Sequence, residues 1–570
     1  MLEFSEKITV WLACTVTGLA VQLGINPAVA EDGIAASAVG AVAQPRHEPE
    51  SFSPDYFEQI DATIGAITID NRNVFDLQNP EEDRWLYRLA NNIHRPTRTN
   101  VIRSQLLITP GSKFSLQKVD ESERILRKNR YIREAEIEID KVDGDVVDLT
   151  VRTTDVWTLK ADLSFGRKGG VNTGGFGIEE NNVLGTGTHI GTFFKRTVDR
   201  DVASLNFANK HFRGTRYTLA GTIARNSDGF DQRLALFKPF FSMDSRRAGG
   251  FTLHRQDRVD TLYALGRPQA AFRHELSQHE VFRGWSGGLR SGWSRRYVAG
   301  LAYEEHRFAI AESPVFASYA TVPRDRRFVY PFVGLQVLED RFEKTRNFDH
   351  IHRTEDRFLG TRYGIRVGYA PANRVSPSGT LLFRGEYRTG YKFAEAETLI
   401  TGVEAAGRLA GDVLENSLLT GFATYHRRQS KNRLLYASLR ASVGHNLDLD
   451  NPQYLGGASG LRGFPLRYQS GTGKAILTIE QRFFTDWYPF RLIRVGGAVF
   501  FDAGRTWGET VAGGPGAGLM KNVGFGLRLA NTRSSQGRIL HIDVAYPLDK
   551  LPGVSGVSGV QILLEAKQSF

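Results

Sequence analysis

Three ionisable residues in the last third of the chain have the types and spacing for a fixed ion cluster. Arg462 lies in the glycine-rich run 456–464, and the acidic residues Glu480 and Asp502 follow it. A planar guanidinium can hold two carboxylates in a defined geometry, which lysine does less well. Because such a cluster is costly to bury, we expect it either to brace the structure or to belong to a moving part. Both interpretations stay open.

The residues around both acidic groups alternate as they do in a β-strand with one apolar face. Glu480 shares its face with Arg482, and Asp502 shares its face with Phe500 and Gly504. A carboxylate that faced lipid in mid-strand would be strongly unfavourable. We therefore predict that both acidic side chains point into the interior of a barrel.

The same alternation recurs from residue 159 to residue 570 and predicts antiparallel strands. It is clearest in the stretches 363–369, 381–393, 435–443, 523–529 and 540–546. It runs for 412 residues without a helical pattern, which is too much sheet for one soluble sandwich. Aromatic residues concentrate at the strand ends, as in the girdles of membrane barrels. We predict an all-β transmembrane barrel of about 16 antiparallel strands, at about 26 residues per strand and connection.

Two segments at the N-terminus differ from the rest in composition. Residues 1–30 carry Lys7 before an apolar stretch and a small-x-small sequence that ends at Ala30, which predicts a signal peptide. The single cysteine, Cys14, falls inside it, so the exported chain would contain none. Residues 31–61 are rich in alanine and punctuated by proline, which predicts a disordered linker.

Residues 62–158 have the pattern of a small α+β domain. A short strand is predicted near 64–69, and Ser115 is placed to cap an amphipathic helix. Asp143 and Gly144 form the predicted turn of a following hairpin. The segment is polar and has no membrane pattern, as expected of a periplasmic domain.

Composition and motif spacing exclude several classes of protein. The net charge of +11 is spread along the chain rather than clustered, which argues against a nucleic-acid partner. No apolar run of about 18 residues occurs after the first 30, so a helical membrane protein is excluded. Residues 471–474 lack the first glycine of a P-loop, and residues 457–461 lack the last glycine of a nucleophile elbow. His350 and His352 lie in a charged loop without ligand spacing. We expect no enzyme, no cofactor and no metal site.

The motifs near Arg462 resemble those of the outer-membrane assembly and transport superfamily. That family includes BamA/TamA-like proteins, two-partner secretion transporters and bacterial surface antigens, and combines POTRA modules with a 16-stranded barrel. The resemblance rests on Leu461-Arg462-Gly463-Phe464, on the Phe-x-Asp-x-Gly spacing of Phe500, Asp502 and Gly504, on residues 179–187, and on the POTRA-like order of 62–158.

The resemblance assigns a place to each of these residues. It implies that the sixth outer loop folds into the lumen, where Arg462 pairs with Glu480 on the twelfth strand and Asp502 on the thirteenth. The terminal residue, Phe570, resembles the C-terminal recognition signal of outer-membrane barrels.

The resemblance also implies a function in the bacterial outer membrane, with the POTRA-like domain in the periplasm. The chain would assemble, insert or translocate unfolded or extended outer-membrane or secreted polypeptides, which would add to a sheet edge of the POTRA-like domain. One such module implies an accessory family member. Outer-membrane lipid and periplasmic or lipoprotein partners are also implied. Two alternatives stay open: a two-partner-type secretion pore for a dedicated polypeptide, and a passive outer-membrane channel or surface antigen.

Overall fold

The computed structural model describes residues 54–311, 322–510, 518–534, 539–549, 559–567 and 570. The predicted signal peptide and residues 31–53 of the predicted linker lie outside the described residues. The remainder of that linker begins with a helix at Pro54, and its Phe57 packs into the core of the following domain.

The N-terminal domain is built around a three-stranded sheet. Its helices are α1 (Pro54–Gln59), α2 (Trp85–Ile93), α3 (Thr99–Arg103) and α4 (Leu116–Arg127), and its strands are β1 (Thr63–Arg72), β2 (Ile132–Asp143) and β3 (Val146–Asp155). The order β1–β3–β2 leaves β1 and β2 at the edges, with β1 parallel and β2 antiparallel to β3. Val119 and Leu126 of α4 belong to the same buried cluster as Leu149 of β3. Ser115 precedes α4, but its side chain makes no capping hydrogen bond.

The rest of the chain consists almost entirely of strands. In chain order they are β4 (Leu159–Lys168), β5 (Val171–Glu180), β6 (Thr188–Arg196), β7 (Asp201–Asn209), β8 (Thr218–Asn226), β9 (Gly229–Lys238), β10 (Arg247–Ala264), β11 (Arg267–Arg290), β12 (Trp293–Ile310), β13 (Arg326–Glu339), β14 (Phe342–Arg346), β15 (Thr354–Phe358), β16 (Arg362–Ala370), β17 (Thr380–Ala394), β18 (Glu397–Ala410), β19 (Val413–Ser430), β20 (Arg433–His445), β21 (Gln453–Leu455), β22 (Gln469–Gly471), β23 (Gly473–Phe484), β24 (Ile493–Trp507), β25 (Met520–Asn531), β26 (Ile539–Pro547) and β27 (Gln561–Lys567). The pairs β14–β15 and β21–β22 form separate hairpins, and the other strands form one closed wall.

The wall contains 20 antiparallel strands, so the predicted number of about 16 is wrong. The prediction took the strand number of the 16-stranded barrels that the chain resembles, which spreads 412 residues at about 26 per strand and connection. Several connections are only two residues long, among them Leu265-Gly266, Ser291-Gly292 and Lys431-Asn432. Because turns are short at both rims, the same length of chain makes more strands. Alternation identifies strands but does not set how many of them close the wall.

The extra strands also change the position of the acidic residues in the wall. Glu480 on β23 and Asp502 on β24 lie on the sixteenth and seventeenth wall strands, rather than the twelfth and thirteenth that the resemblance implied. Counted back from the C-terminus, they lie on the fifth and fourth strands, as they would in a 16-stranded wall. All of the additional strands therefore precede Arg462 in the chain.

The outer surface of the wall is apolar. Exposed side chains there include Phe176, Ile223, Val281, Leu301, Val333, Ile365, Val499 and Phe525. They occupy the positions that alternate with the polar residues of the interior, which is the arrangement of a barrel with an apolar environment outside. In the described part of the chain, no helix is both long and apolar enough to cross a membrane.

Two insertions enter the lumen from opposite rims. We call the rim that contacts the N-terminal domain the domain end, and the opposite rim the far end. The lumen hairpin, residues 342–358, enters at the domain end, where Phe348 and Ile351 pack against wall residues. The lumen loop, residues 446–472, connects β20 to β23 and folds back from the far end.

Candidate functional site

The lumen loop carries Arg462 to two carboxylates of the wall. Its Nε and Nη2 donate to the two carboxylate oxygens of Asp502, each at 2.8 Å, and its Nη1 donates to Oε1 of Glu480 at 2.8 Å. The exposed fractions are 5% for Arg462, 5% for Glu480 and 0% for Asp502. The structure thus brings together the three residues that the sequence analysis selected, in a geometry that only a planar guanidinium can supply.

Further charged residues, which the sequence analysis did not select, complete this cluster. Arg482 donates through Nε to Oε2 of Glu480 at 3.1 Å. Arg528 bonds to Asp543, whose Oδ2 lies 3.7 Å from Nη1 of Arg462. Three guanidinium groups therefore alternate with three carboxylates, and the formal charges cancel. The alternation of polar and apolar residues could have indicated Arg528 and Asp543, because both lie on the polar faces of β25 and β26.

Neutral groups satisfy the remaining hydrogen-bonding capacity of Asp502. Its oxygens accept from Oγ1 of Thr478 at 3.0 Å and from Nδ2 of Asn522 at 2.8 Å. The guanidinium of Arg462 lies over the ring of Phe500 with 3.3 Å from Cζ to the ring centroid. A buried charge is tolerated only when it is paired and hydrogen-bonded in this way.

The other motif residues fit the lumen loop against the wall. A Cβ on Gly463 would lie 2.7 Å from Cβ of Asn522, and one on Gly504 would lie 2.9 Å from the carbonyl oxygen of Ala475. Glycine is needed at both positions because backbone and wall approach too closely for a side chain. Leu461 and Phe464 flank the contact and are fully buried.

The cluster braces consecutive strands at the C-terminal side of the wall. Glu480 lies on β23, Asp502 on β24, Arg528 on β25 and Asp543 on β26. The next strand is β27, which closes the wall against β4. Among the described residues, Leu564 and Arg167 are the only pair in register between β27 and β4. By contrast, β26 pairs with β27 along the whole stretch 539–545. Over the described part of the chain, the seam between the last and first strands therefore has the fewest paired residues of any junction in the wall.

Phe570 lies at the domain end of the lumen. Its ring packs against that of Phe484 at 4.7 Å between centroids, and its backbone N–H donates to the carbonyl of Asp349 at 2.8 Å. The terminal aromatic residue thus contacts the lumen hairpin. Its role as a recognition signal stays a prediction.

Two ion pairs join the N-terminal domain to the lumen hairpin. Arg127 of α4 donates through Nε and Nη2 to the two carboxylate oxygens of Asp356, at 2.8 and 2.7 Å. Lys344 of the hairpin donates to Glu123 of α4 at 2.7 Å. The turn formed by residues 181–187 contacts the domain as well, through a 2.8 Å bond from Asn182 to Thr97. The domain is thus connected to an element inside the barrel.

Glu355 organises the tip of the lumen hairpin. Its carboxylate accepts backbone N–H bonds from Phe348, Asp349 and His350 at 3.0, 3.0 and 3.2 Å. Burial, and then the neighbouring charge of Asp349, raise the pKa of Glu355 to about 7. The charge at this position therefore changes within the physiological range of pH.

The fold of this chain resembles that of solved structures at low sequence identity. No family model matches the chain, and no curated protein matches it. Solved structures that it resembles include BamA from Haemophilus ducreyi lacking POTRA domains 1–3, at 13% identity over 88% of this chain and 83% of that chain, with a TM-score of 0.38. CdiB from Acinetobacter baumannii is 12% identical over 88% and 73%, with a TM-score of 0.40. CdiB from Escherichia coli is 13% identical over 88% and 76%, with a TM-score of 0.46. A likeness at these TM-scores assigns no function. The geometry of the lumen and of the seam supports the proposed function instead.

Proposed function

We propose that this protein is an outer-membrane assembly, insertion or translocation factor for polypeptides and an accessory member of the BamA/TamA-like superfamily. The observation that carries the proposal is the seam, where Leu564 and Arg167 are the only described residues that pair the last strand with the first. A wall that is braced beside the seam and weakly paired at it can open there without losing its shape.

The proposed environment is a lipid bilayer. The exposed apolar residues of the wall would be buried in lipid, at about 25 cal/mol for each Å² removed from water. Helix α2 extends this apolar surface at the domain end. It exposes Trp85, Leu89 and Ile93 along one side, while Tyr87 on the other side donates to the carbonyl of Phe490 in the rim. An amphipathic helix with such a face suits the interface of a membrane leaflet.

Clients would meet the N-terminal domain before they reach the barrel. Strand β2 is an edge of the three-stranded sheet. Arg127 and Glu123 of α4 already bond to the carbonyl of Ala135 and the N–H of Ile137, so an extended polypeptide would add to the later part of this strand. The domain would lie in the periplasm and act as a POTRA-like module. Its bonds to the lumen hairpin, through Arg127 and Asp356, would report client binding to the interior of the barrel.

A disulfide across the seam tests the proposal. The double variant Arg167→Cys/Leu564→Cys places two cysteines on facing Cα positions, which suits a disulfide. We expect the oxidised protein, reconstituted in liposomes, to lose insertion of an unfolded β-barrel client and to recover it on reduction. Ser204→Cys/Ala224→Cys joins two strands that are already fully paired and serves as the matched control. Full insertion activity with the seam locked would contradict the proposal.

A secretion pore is the second candidate, and one observation favours it. The lumen contains a cavity of about 590 Å³ between the N-terminal domain and the lumen loop, with Asn206, Thr222, Glu280 and Arg384 among its lining residues. Apolar side chains such as Phe282 and Phe328 line it together with these polar groups, and a lumen cavity of this size would suit transport along the barrel axis. Polypeptide transport that survives the seam disulfide would favour this candidate over insertion through the seam.

A further inference from the structure

A second polar cluster lies inside the barrel at the far end, away from Arg462. It consists of His274 on β11, His306 on β12 and Asp450 on the lumen loop, whose ligand atoms all lie within 4.8 Å of one another. Nε2 of His274 is 3.0 Å from Nδ1 of His306, which is 3.9 Å from Oδ2 of Asp450. Both histidines are buried.

The outer nitrogens of the two rings fix their tautomers. Nδ1 of His274 lies 2.9 Å from Oδ2 of Asp260, and Nε2 of His306 lies 2.8 Å from Oε1 of Glu304. An ionised carboxylate only accepts hydrogen bonds, so each of these nitrogens carries the proton. Neutral rings then turn bare lone pairs toward each other across the 3.0 Å gap. The guanidinium of Arg326 lies at one of these lone pairs, and a cation between the rings would satisfy both.

We propose that this cluster is a binding site for a divalent transition-metal ion of the Zn²⁺ type. Nε2 of His274, Nδ1 of His306 and Oδ2 of Asp450 would be its ligands, with a solvent molecule in the fourth position. Asp260 and Glu304 hold the rings in the required orientation, which is the usual role of carboxylates behind metal-bound histidines. From the sequence we expected no metal site, since His350 and His352 lack ligand spacing. The three ligands proposed here come from distant positions in the chain, where no local pattern connects them.

Arg326 competes with the ion for the same atoms. Its Nη2 lies 2.6 Å from Oδ2 of Asp450 and 3.1 Å from Nδ1 of His306. Its Nη1 already reaches Oδ1 of Asp450 at 3.1 Å and lies 3.5 Å from Asp448. These contacts of Nη1 would remain if the ion displaced Nη2 from Asp450 and His306. The surrounding charges permit it, since the guanidinium groups of Arg258, Arg326 and Arg408 are outnumbered by two by the acidic groups Asp260, Glu304, Glu415, Asp448 and Asp450.

The bound ion would fasten the lumen loop to the wall at a second point. Asp450 lies near the start of the loop, and Arg462 lies further along it. The ion would tie the first part to β11 and β12, whereas Arg462 ties the later part to β23 and β24. Metal binding would therefore protect residues of the loop that contact no metal ligand. This inference is independent of the proposed function.

Zinc titration of the whole protein tests the inference. The full chain, purified in detergent and stripped with EDTA, is titrated with Zn²⁺, and bound zinc is counted by elemental analysis after gel filtration. We expect one zinc per chain and at least about a tenfold loss of affinity in His274→Ala and in Asp450→Asn. His279→Ala, on the same strand and stacked on Tyr303, is the matched control and should keep the parent affinity. Arg326→Gln should bind zinc several-fold more tightly.

Two further measurements keep the outcome decisive. The heat-dependent gel shift of a folded barrel identifies any variant that fails to fold. If the histidine variants fail to fold, Asp450→Asn, which alters only the loop, replaces them. Trypsin cleavage of the lumen loop should slow when zinc is added to the parent and not when it is added to Asp450→Asn. Equal zinc binding by the parent, His274→Ala and Asp450→Asn would overturn the inference. So would a parent that binds no zinc, as expected of two histidines that share a proton.

Discussion

The guanidinium of Arg482 donates through Nε to Oε2 of Glu480 at 3.1 Å and links the two insertions of the lumen. Through Nη1 it also donates to the carbonyl of Phe348 in the lumen hairpin at 3.0 Å. Glu480 in turn accepts from Arg462 of the lumen loop. A continuous set of bonds thus runs from the far-end loop, through the wall, to the hairpin that contacts the N-terminal domain. Such networks can couple distant sites when their elements have two discrete arrangements.

Loss of the Arg462 side chain should release the lumen loop. Arg462→Ala leaves Glu480 and Asp502 buried without their common partner, which costs about 3–5 kcal/mol for a buried pair. We expect faster hydrogen exchange across residues 456–468 and reduced client insertion, while the barrel still assembles. Arg462→Lys should give an intermediate result, because an ammonium cannot make the paired bonds to Asp502.

The control for that variant lies in the same loop. Arg467 pairs with Asp199 in a partly exposed position, where an ion pair contributes about 0–1 kcal/mol. Arg467→Ala should therefore leave hydrogen exchange and activity close to those of the parent. If Arg462→Ala behaved like Arg467→Ala, the cluster would have no role in docking the loop.

The bond between Arg127 and Asp356 should hold the N-terminal domain on the barrel. We expect Asp356→Ala to loosen helix α4, and a double-mutant cycle with Arg127→Ala to give a coupling of about 1–3 kcal/mol. Hydrogen exchange of α4 in the full chain measures both the loosening and the coupling energy. Glu138→Ala removes an exposed pair within the domain and should leave α4 unchanged. Additive effects of the two variants would contradict a direct contact.

The lumen hairpin should dock more weakly as pH rises. The pKa of Glu355 is raised to about 7 in the folded protein, so the folded state holds its proton more tightly than the unfolded state. The stabilisation is complete below about pH 4.5 and is lost as pH rises through about 7, by up to about 3 kcal/mol.

Hydrogen exchange at the hairpin tip measures this effect. The amides of Phe348, Asp349 and His350 should open more readily at pH 8 than at pH 5, after correction for intrinsic exchange rates. Glu355→Gln keeps an acceptor oxygen without the charge and should remove the dependence on pH. The same dependence in Glu355→Gln would assign it to another group.

The terminal residue combines packing with a proposed recognition role, and two substitutions separate them. Phe570→Leu keeps most of the buried volume and should change the stability of the barrel by less than about 1.5 kcal/mol. If an aromatic terminus is recognised, Phe570→Leu should still lower the amount of barrel inserted in cells. Phe484→Leu alters the same cluster away from the terminus and should not lower insertion. Equal insertion by both variants would argue that Phe570 serves packing alone.

Local pattern was enough to predict the strands, the polar interior and the facing of both acidic side chains. Glu480 and Asp502 lie inside the wall because alternation on a strand depends only on sequence parity. The pairing with Arg462 required more than parity, since it came from the resemblance of the Leu-Arg-Gly-Phe motif. Alternation also contained Arg528 and Asp543, but nothing local singled them out from other inward-facing charges.

Tertiary structure alone decided the rest, because closure and long-range contact are not local properties. The number of wall strands depends on turn lengths and on which strands finally pair, so neither alternation nor the resemblance predicted 20 of them. The pair Leu564 and Arg167, the one in register at the seam among the described residues, joins opposite ends of the barrel sequence. His274, His306 and Asp450 likewise come together only when the lumen loop folds back against a distant part of the wall. Sequence determined which way the side chains face, and the closed fold determined which of them meet.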